Sequence, residues 1–358
     1  MRFSKSIAAL SVATSVALFT GCTGNSTVAP KPLTPQGHTI FFAQRIPAAL
    51  SPIGLLRVNI HNGDHFAGFD SCPATGALTY ISDFNNSVVN IYAGGTFASQ
   101  SPCGILTGFI NPQGLFISPG SHNLYVANTG GGNVLVFHRG ATSPFQTYTD
   151  TTGQYPVDVA VSSPNGNVIA SNIFAMPPST ELGSISTWPR SGQFSHNYKM
   201  INDTEGLFVT VQNGPAVRIY YNDIDSTSGA GVVYKGNCPG AVCGVFSPTP
   251  ASADTVFPGG LRSRNADTRL VQIDQSGGVG GARIKYNLPG FTSPTPCNLN
   301  GSDPVGFDMN TPTSRIYYAD AGNNNGVELN FTCGFVGTVP GNAGGLMIGV
   351  AHDPPEAL

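Results

Sequence analysis

The 358-residue sequence predicts an all-β protein, a seven-bladed β-propeller in which N-terminal strands complete the C-terminal blade. A small residue opening an apolar strand recurs roughly every 46 residues, the length of one four-stranded blade. With 45 glycines, 28 prolines and 10% charged residues, the composition favours turns and strands over helices. An inner-strand pattern at the C-terminal end, Leu346 to Ala351, lacks the strands that follow it in the other units.

Taken in order, the chain begins with an export message. Arg2 and Lys5 precede an apolar run from Ile7 to Phe19, too short to span a bilayer comfortably, and Phe19-Thr20-Gly21-Cys22 follows. Residues 1–21 read as a signal peptide. A cysteine directly after small residues resembles the bacterial lipoprotein signal, which implies that Cys22 is the lipidated first residue of the mature chain; ordinary cleavage nearby is the alternative. Residues 22–37 carry Pro, Thr and Ser without an apolar period, so they read as a tether. The propeller is expected over residues 38–358.

The small-residue slot falls at Gly68, Gly114, Asp158, Gly206, Gly260, Gly306 and Gly345. The clearest unit reads Pro112-Gln113-Gly114-Leu115-Phe116-Ile117, then Leu124-Tyr125-Val126-Ala127-Asn128, then Asn133-Val134-Leu135-Val136-Phe137. Second strands follow at 78–82, 124–128, 168–172, 217–222, 270–274 and 316–320, most ending on Asn or Asp. Third strands follow at 88–92, 184–188, 231–234 and 283–286. Their apolar runs are nearly continuous because a blade is covered on both faces. Thr39 to Gln44 and Gly54 to Ile60 match second- and third-strand patterns, so they are expected to close the ring with the C-terminal inner strand and remove two open edges.

The Pro-x-Gly-Leu/Val/Phe opening and the Leu-Tyr-Val-Ala-Asn strand resemble the NHL-type and YVTN-type repeat propellers of bacteria over residues 38–355. That resemblance implies the fold. It leaves open a binding module, an interaction platform, or a lactonase or lyase with a metal in the central channel.

Six cysteines besides Cys22, an even number in a chain with an export signal, read as a disulfide set with fifteen pairings. Cys72 and Cys103 come at ends of one blade that share a face, Cys238 and Cys243 can close a local loop, and Cys297 with Cys333 remains, joining adjacent blades. A zinc site would need further ligands beside the Cys238–Cys243 pair.

The net charge of −3 and the absence of a Lys/Arg cluster argue against a nucleic-acid surface. No serine-nucleophile elbow, zinc-protease motif or phosphate loop is present. The residues before each slot should converge on the channel mouth, and of these Gln113 and Glu205 are polar. A lactonase resembling the gluconolactonase family would need acids and Asn from different blades around a divalent cation such as calcium; Glu205, Asp158 and Asp303 are the candidates. The structural alternative is that such acids accept backbone N–H groups of the neighbouring blade. His65, His122 and His352 read as structural, as do the Asn and Asp that close the second strands. The expected protein is therefore an exported bacterial envelope lipoprotein, held to a membrane by its lipid anchor, whose propeller binds an envelope protein or a glycan. A metal-dependent hydrolase or lyase is the alternative.

Overall fold

The computed structural model describes residues 72–94, 96–97, 100–162, 166–175, 183–193, 196–199, 208–212, 217–224, 231–238, 249–255, 258–264, 269–275, 283–287, 297–299, 303–310 and 312–354. All lie within Thr34–Leu358, the larger of two compact units. They form six four-stranded antiparallel sheets, the blades of a β-propeller.

From the axis outward, blade 1 comprises Met347–Asp353, Leu78–Asp83, Val88–Ala93 and Gly104–Leu106. Blade 2 comprises Pro112–Ile117, Leu124–Asn128, Asn133–Phe137 and Gln146–Thr149. Blade 3 runs through Gln154–Val161, Val168–Ala175, Ser184–Trp188 and His196–Lys199. Blade 4 uses Val209–Gln212, Val217–Ile224, Gly231–Cys238 and Thr249–Thr255. Blade 5 uses Pro258–Arg264, Arg269–Asp274, Arg283–Asn287 and Cys297–Asn298, and blade 6 Pro304–Asn310, Arg315–Asp320, Asn325–Asn330 and Phe335–Pro340. Each innermost strand packs on that of the next blade, and blade 6 returns to blade 1.

The expected seventh blade is thereby corrected. The C-terminal strand does find N-terminal partners, but it pairs with Leu78–Asp83, in register Tyr80 to Ala351 and Leu78 to Asp353. Leu78–Asp83 is paired on its other edge with Val88–Ala93, so no edge remains for a separate inner strand around Gly68. The units opening at Gly68 and Gly345 are one blade, counted twice because its inner strand comes from the far end of the chain. Thr39 to Gln44 and Gly54 to Ile60 lie outside the described residues, and the edge assigned to them is held by Leu78–Asp83.

The structure also explains the slot. In blades 1, 2, 3, 5 and 6 the pairing of the first two strands shifts register beside the small residue, the signature of a bulge. A Cβ on Gly306 would lie 2.5 Å from the Ile348 carbonyl and 2.9 Å from the Gly349 Cα. One on Gly349 would collide with the Gln113 carbonyl, and one on Gly114 would lie 2.7 Å from the Val157 carbonyl. Glycine is used because adjacent blades touch there through backbone. Two slots move accordingly: blade 1 uses Gly349, not Gly345, and in blade 4 Val209 occupies the position paired with Tyr221.

The second-strand Asn and Asp residues tie these inner strands down. Side-chain oxygens of Asp83, Asn128, Asn222 and Asp320 accept the backbone N–H of Leu346, Ile110, Phe208 and Asp303, at 3.0, 2.6, 2.9 and 2.9 Å. Each satisfies a donor at the entry to an inner strand.

Two disulfides are formed among the described residues. Cys72–Cys103 lies within blade 1, and Cys297–Cys333 joins blades 5 and 6. They span 31 and 36 positions, so on the loop-entropy model each contributes about 4 kcal/mol. Such bonds are consistent with a location outside the cytoplasm. Cys243 lies outside the described residues, as does the side chain of Cys238.

Candidate functional sites on the axis and the rim

At the channel mouth the residues before the slots are Gln113, Val157, Phe208, Gly259, Val305 and Ile348, and every one is buried. Val157, Phe208, Val305 and Ile348 belong to one apolar cluster with Tyr155, Leu261 and Leu346, drawn from five of the six blades. That end of the axis is packed as core. Gln113 is within it, 1% exposed, with its Oε1 buried and lacking a hydrogen-bond donor.

Deeper along the same strands a charge cluster crosses the axis. Arg262 of blade 5 is 7% exposed. Its guanidinium donates to the Leu115 carbonyl of blade 2 at 2.9 Å, to its neighbour Leu261 at 2.9 Å and to Asp158 of blade 3 at 3.2 Å. Asp308 of blade 6 stands 3.8 Å from its Nε. Asp158 also accepts the Val209 N–H of blade 4 at 3.2 Å, while Asp308 accepts the His352 N–H of blade 1 at 2.8 Å. One arginine thus links all six inner strands directly or through its two carboxylates. Burial pushes the Asp158 carboxyl up, and the Arg262 charge opposes that shift.

The sequence carries a trace of this cluster. Arg262 and Asp308 stand two positions after Gly260 and Gly306, on the slot-facing side of adjacent inner strands. Opposite charges at the same repeat offset, where the other blades carry apolar residues, mark a pair meeting at the axis.

The candidate metal ligands are dispersed in their roles. Asp158 accepts the backbone amide of the next blade and is held by a guanidinium, which already supplies the positive charge that a cation would bring. Asp303 precedes blade 6, where its N–H is accepted by Asp320. Glu205 lies outside the described residues. Among the described residues no three His, Cys, Asp or Glu side chains come together as a metal-binding group.

The histidines are used at ring closure. Asp353, at the end of the closing strand, pairs with His122 at 2.5 Å and with Arg139, both from blade 2. Arg139 also donates to the Gly76 carbonyl at 2.6 Å. His352 is 1% exposed, bonded to Thr79 at 3.0 Å and stacked on Tyr317, and burial lowers its pKa to about 4.

An open cleft of about 310 Å³ lies on the rim between blades 2 and 3. The turn Ser118–Asn123, joining the first two strands of blade 2, forms one wall, and Ser162, Gly166 and Arg190 of blade 3 the other. Tyr148 donates to the Arg190 carbonyl at 3.0 Å, which fixes the backbone of that residue. The Arg190 stem lies across Gly166, where a Cβ would come within 3.1 Å of it; at φ +69° this position favours glycine twice over. Tyr125 at the floor is pushed up to about 12 by burial, with the Arg190 guanidinium opposing the shift. Among the described residues no acid lines the cleft. Asn123 on its edge bonds His138 at 3.0 Å, and His138 stacks on Phe145, which is 48% exposed.

No protein-family model matches the chain, and no curated protein matches it. Solved structures match its fold. A chain of the nidogen/laminin complex aligns with a TM-score of 0.56 at 11% identity, over 77% of this chain and 98% of its own. A functionally unknown protein from Desulfotomaculum acetoxidans aligns with a TM-score of 0.52 at 8% identity, over 78% of this chain and 99% of its own. The chain shares the β-propeller fold with both.

Proposed function

We propose that this chain is a non-catalytic interaction module of the bacterial cell envelope, exported by residues 1–21, lipidated at Cys22 and held off the membrane by residues 22–37. Its propeller presents loop faces to a protein or glycan of the envelope. The observation that carries this reading is the filled axis: apolar packing at the mouth and Arg262 deeper in occupy the positions where a channel enzyme would bind its cation and substrate. The two disulfides support a site of action outside the cytoplasm. The fold shared with a chain of a protein–protein complex is in keeping with such a role.

The test uses the mature lipidated protein. It should be recovered in the membrane fraction, Cys22→Ser should release it, and the mature chain should retain an envelope component on affinity capture. Its thermal midpoint should be indifferent to chelator and to Glu205→Gln. Stoichiometric uptake of calcium, lost with Glu205→Gln, would instead establish the metal-dependent hydrolase.

A further inference from the structure

We infer that the rim cleft between blades 2 and 3 is a binding site for an acidic saccharide, a sugar unit bearing a carboxylate; this rests on the interaction-module reading. Two kinds of chemistry meet there, with an aromatic ring just beyond the lining. Arg190 is exposed, and no carboxylate lies within ion-pair distance of its guanidinium among the described residues. An arginine in that state presents a planar fork of donors matched to a carboxylate. Its position is built, because Tyr148 holds its carbonyl and Gly166 makes room for its stem.

The rest of the wall is hydroxyl and amide. Ser118, Ser121 and Asn123 supply donors and acceptors suited to sugar hydroxyls, and among the described residues of the lining Arg190 is the charged one, with no acid opposing it. Outside the lining, Asn123 bonds His138, and His138 stacks on the exposed Phe145, so an aromatic ring stands where the next unit of an oligosaccharide leaving the cleft can pack. A volume of about 310 Å³ suits one sugar unit of a longer chain passing over the rim. A simple inorganic anion would use Arg190 but neither the amide nor the aromatic, and a neutral sugar would leave the guanidinium unmatched.

The probe is a glucuronate-containing oligosaccharide titrated into the mature protein by calorimetry, with the neutral glucose oligosaccharide of equal length and inorganic sulfate alongside. Saturable binding of the uronate, about tenfold or more tighter than either control, is expected. Arg190→Ala should weaken it by at least about tenfold with an unchanged thermal midpoint, Arg190→Lys should retain part of it, and Phe145→Ala should weaken both oligosaccharides. Failure of the uronate to bind, equal binding by wild type and Arg190→Ala, or sulfate binding as tight as the uronate would each overturn the assignment. If the uronate fails while wild type and Arg190→Ala still capture the same envelope component, the cleft assignment falls and the module stands; if both assays fail, so do both readings.

Discussion

Two arginines of this molecule occupy opposite environments. Arg262 on the axis is buried, bonded to two backbone carbonyls and attended by Asp158 and Asp308, whereas Arg190 on the rim is exposed and faces hydroxyls and an amide. The first directs three of its donors to partners inside the protein. The second retains its own for a ligand. The axis thus reads as the part that holds the ring together, and the rim as the part that meets other molecules.

The widest separation should come from removing the axial charge. Arg262→Met leaves Asp158 buried without the guanidinium that faces it, at a cost of about 3–5 kcal/mol and a thermal midpoint lower by on the order of 10 °C. Adding Asp158→Leu should recover part of the loss. Equal stability of wild type and Arg262→Met by urea unfolding would erase the contrast drawn between the two arginines.

His352 sharpens the comparison through pH. Burial lowers its pKa from 6.5 to about 4, while Asp353 opposes that shift. Between those values the unfolded chain binds a proton that the folded chain excludes, so stability is full above about pH 6.5 and is lost as pH falls toward 4. The loss is about 3 kcal/mol over the whole window, about 2 of it by pH 5. The raised carboxyls of Asp158 and Glu328 act in the opposite sense, taking up protons first in the folded state and offsetting some of this loss. Urea midpoints at pH 7 and pH 5 should therefore converge in His352→Gln. An unaltered gap would show that other groups set the acid limit.

Gly349→Ala probes backbone contact between blades without touching charge. Its Cβ would meet the Gln113 carbonyl, and the strand can yield only by shifting, for a cost of about 1–3 kcal/mol. A neutral result in thermal unfolding would mean that blades 1 and 2 are spaced more loosely than the structure has them. The smallest effect on folding is expected on the rim, where Arg190→Ala should stay within about 0.5 kcal/mol of wild type.

The sequence made strands legible and blade membership hard to count. Second strands such as Leu124–Asn128 and Arg315–Asp320 stand out because they are largely apolar and end on the Asn or Asp that caps the entry to the inner strand of the same blade. Closure between the chain ends was also legible in kind. Its partner was misassigned because strand pairing over such a separation leaves no local trace, and Thr39 to Gln44 is, like Leu78–Asp83, a short largely apolar run ending on a polar residue. The slot in blade 4 was misplaced for a related reason: Val209 fills it without being small. Asp158 was singled out by its acid in a glycine position, but its partner Arg262 lies 104 positions away, and only the ring brings them together. Arg190 carried no sequence signal at all, since a lone surface arginine in a turn acquires meaning only from the wall opposite it.

The ring's fastening also fixes the order of its assembly. Thr79 and His352 are 273 positions apart, yet their strands are neighbours in one sheet. During synthesis, the three N-terminal strands of blade 1 must wait, inner edge unfilled, until five further blades have been made. A stop codon just before Met347 would remove about the last dozen residues and still leave every blade but one with its own four strands. Such a product would carry an open edge inviting strand addition from another copy, so loss of a short terminal segment should lead to self-association and clearance instead of a slightly weakened protein.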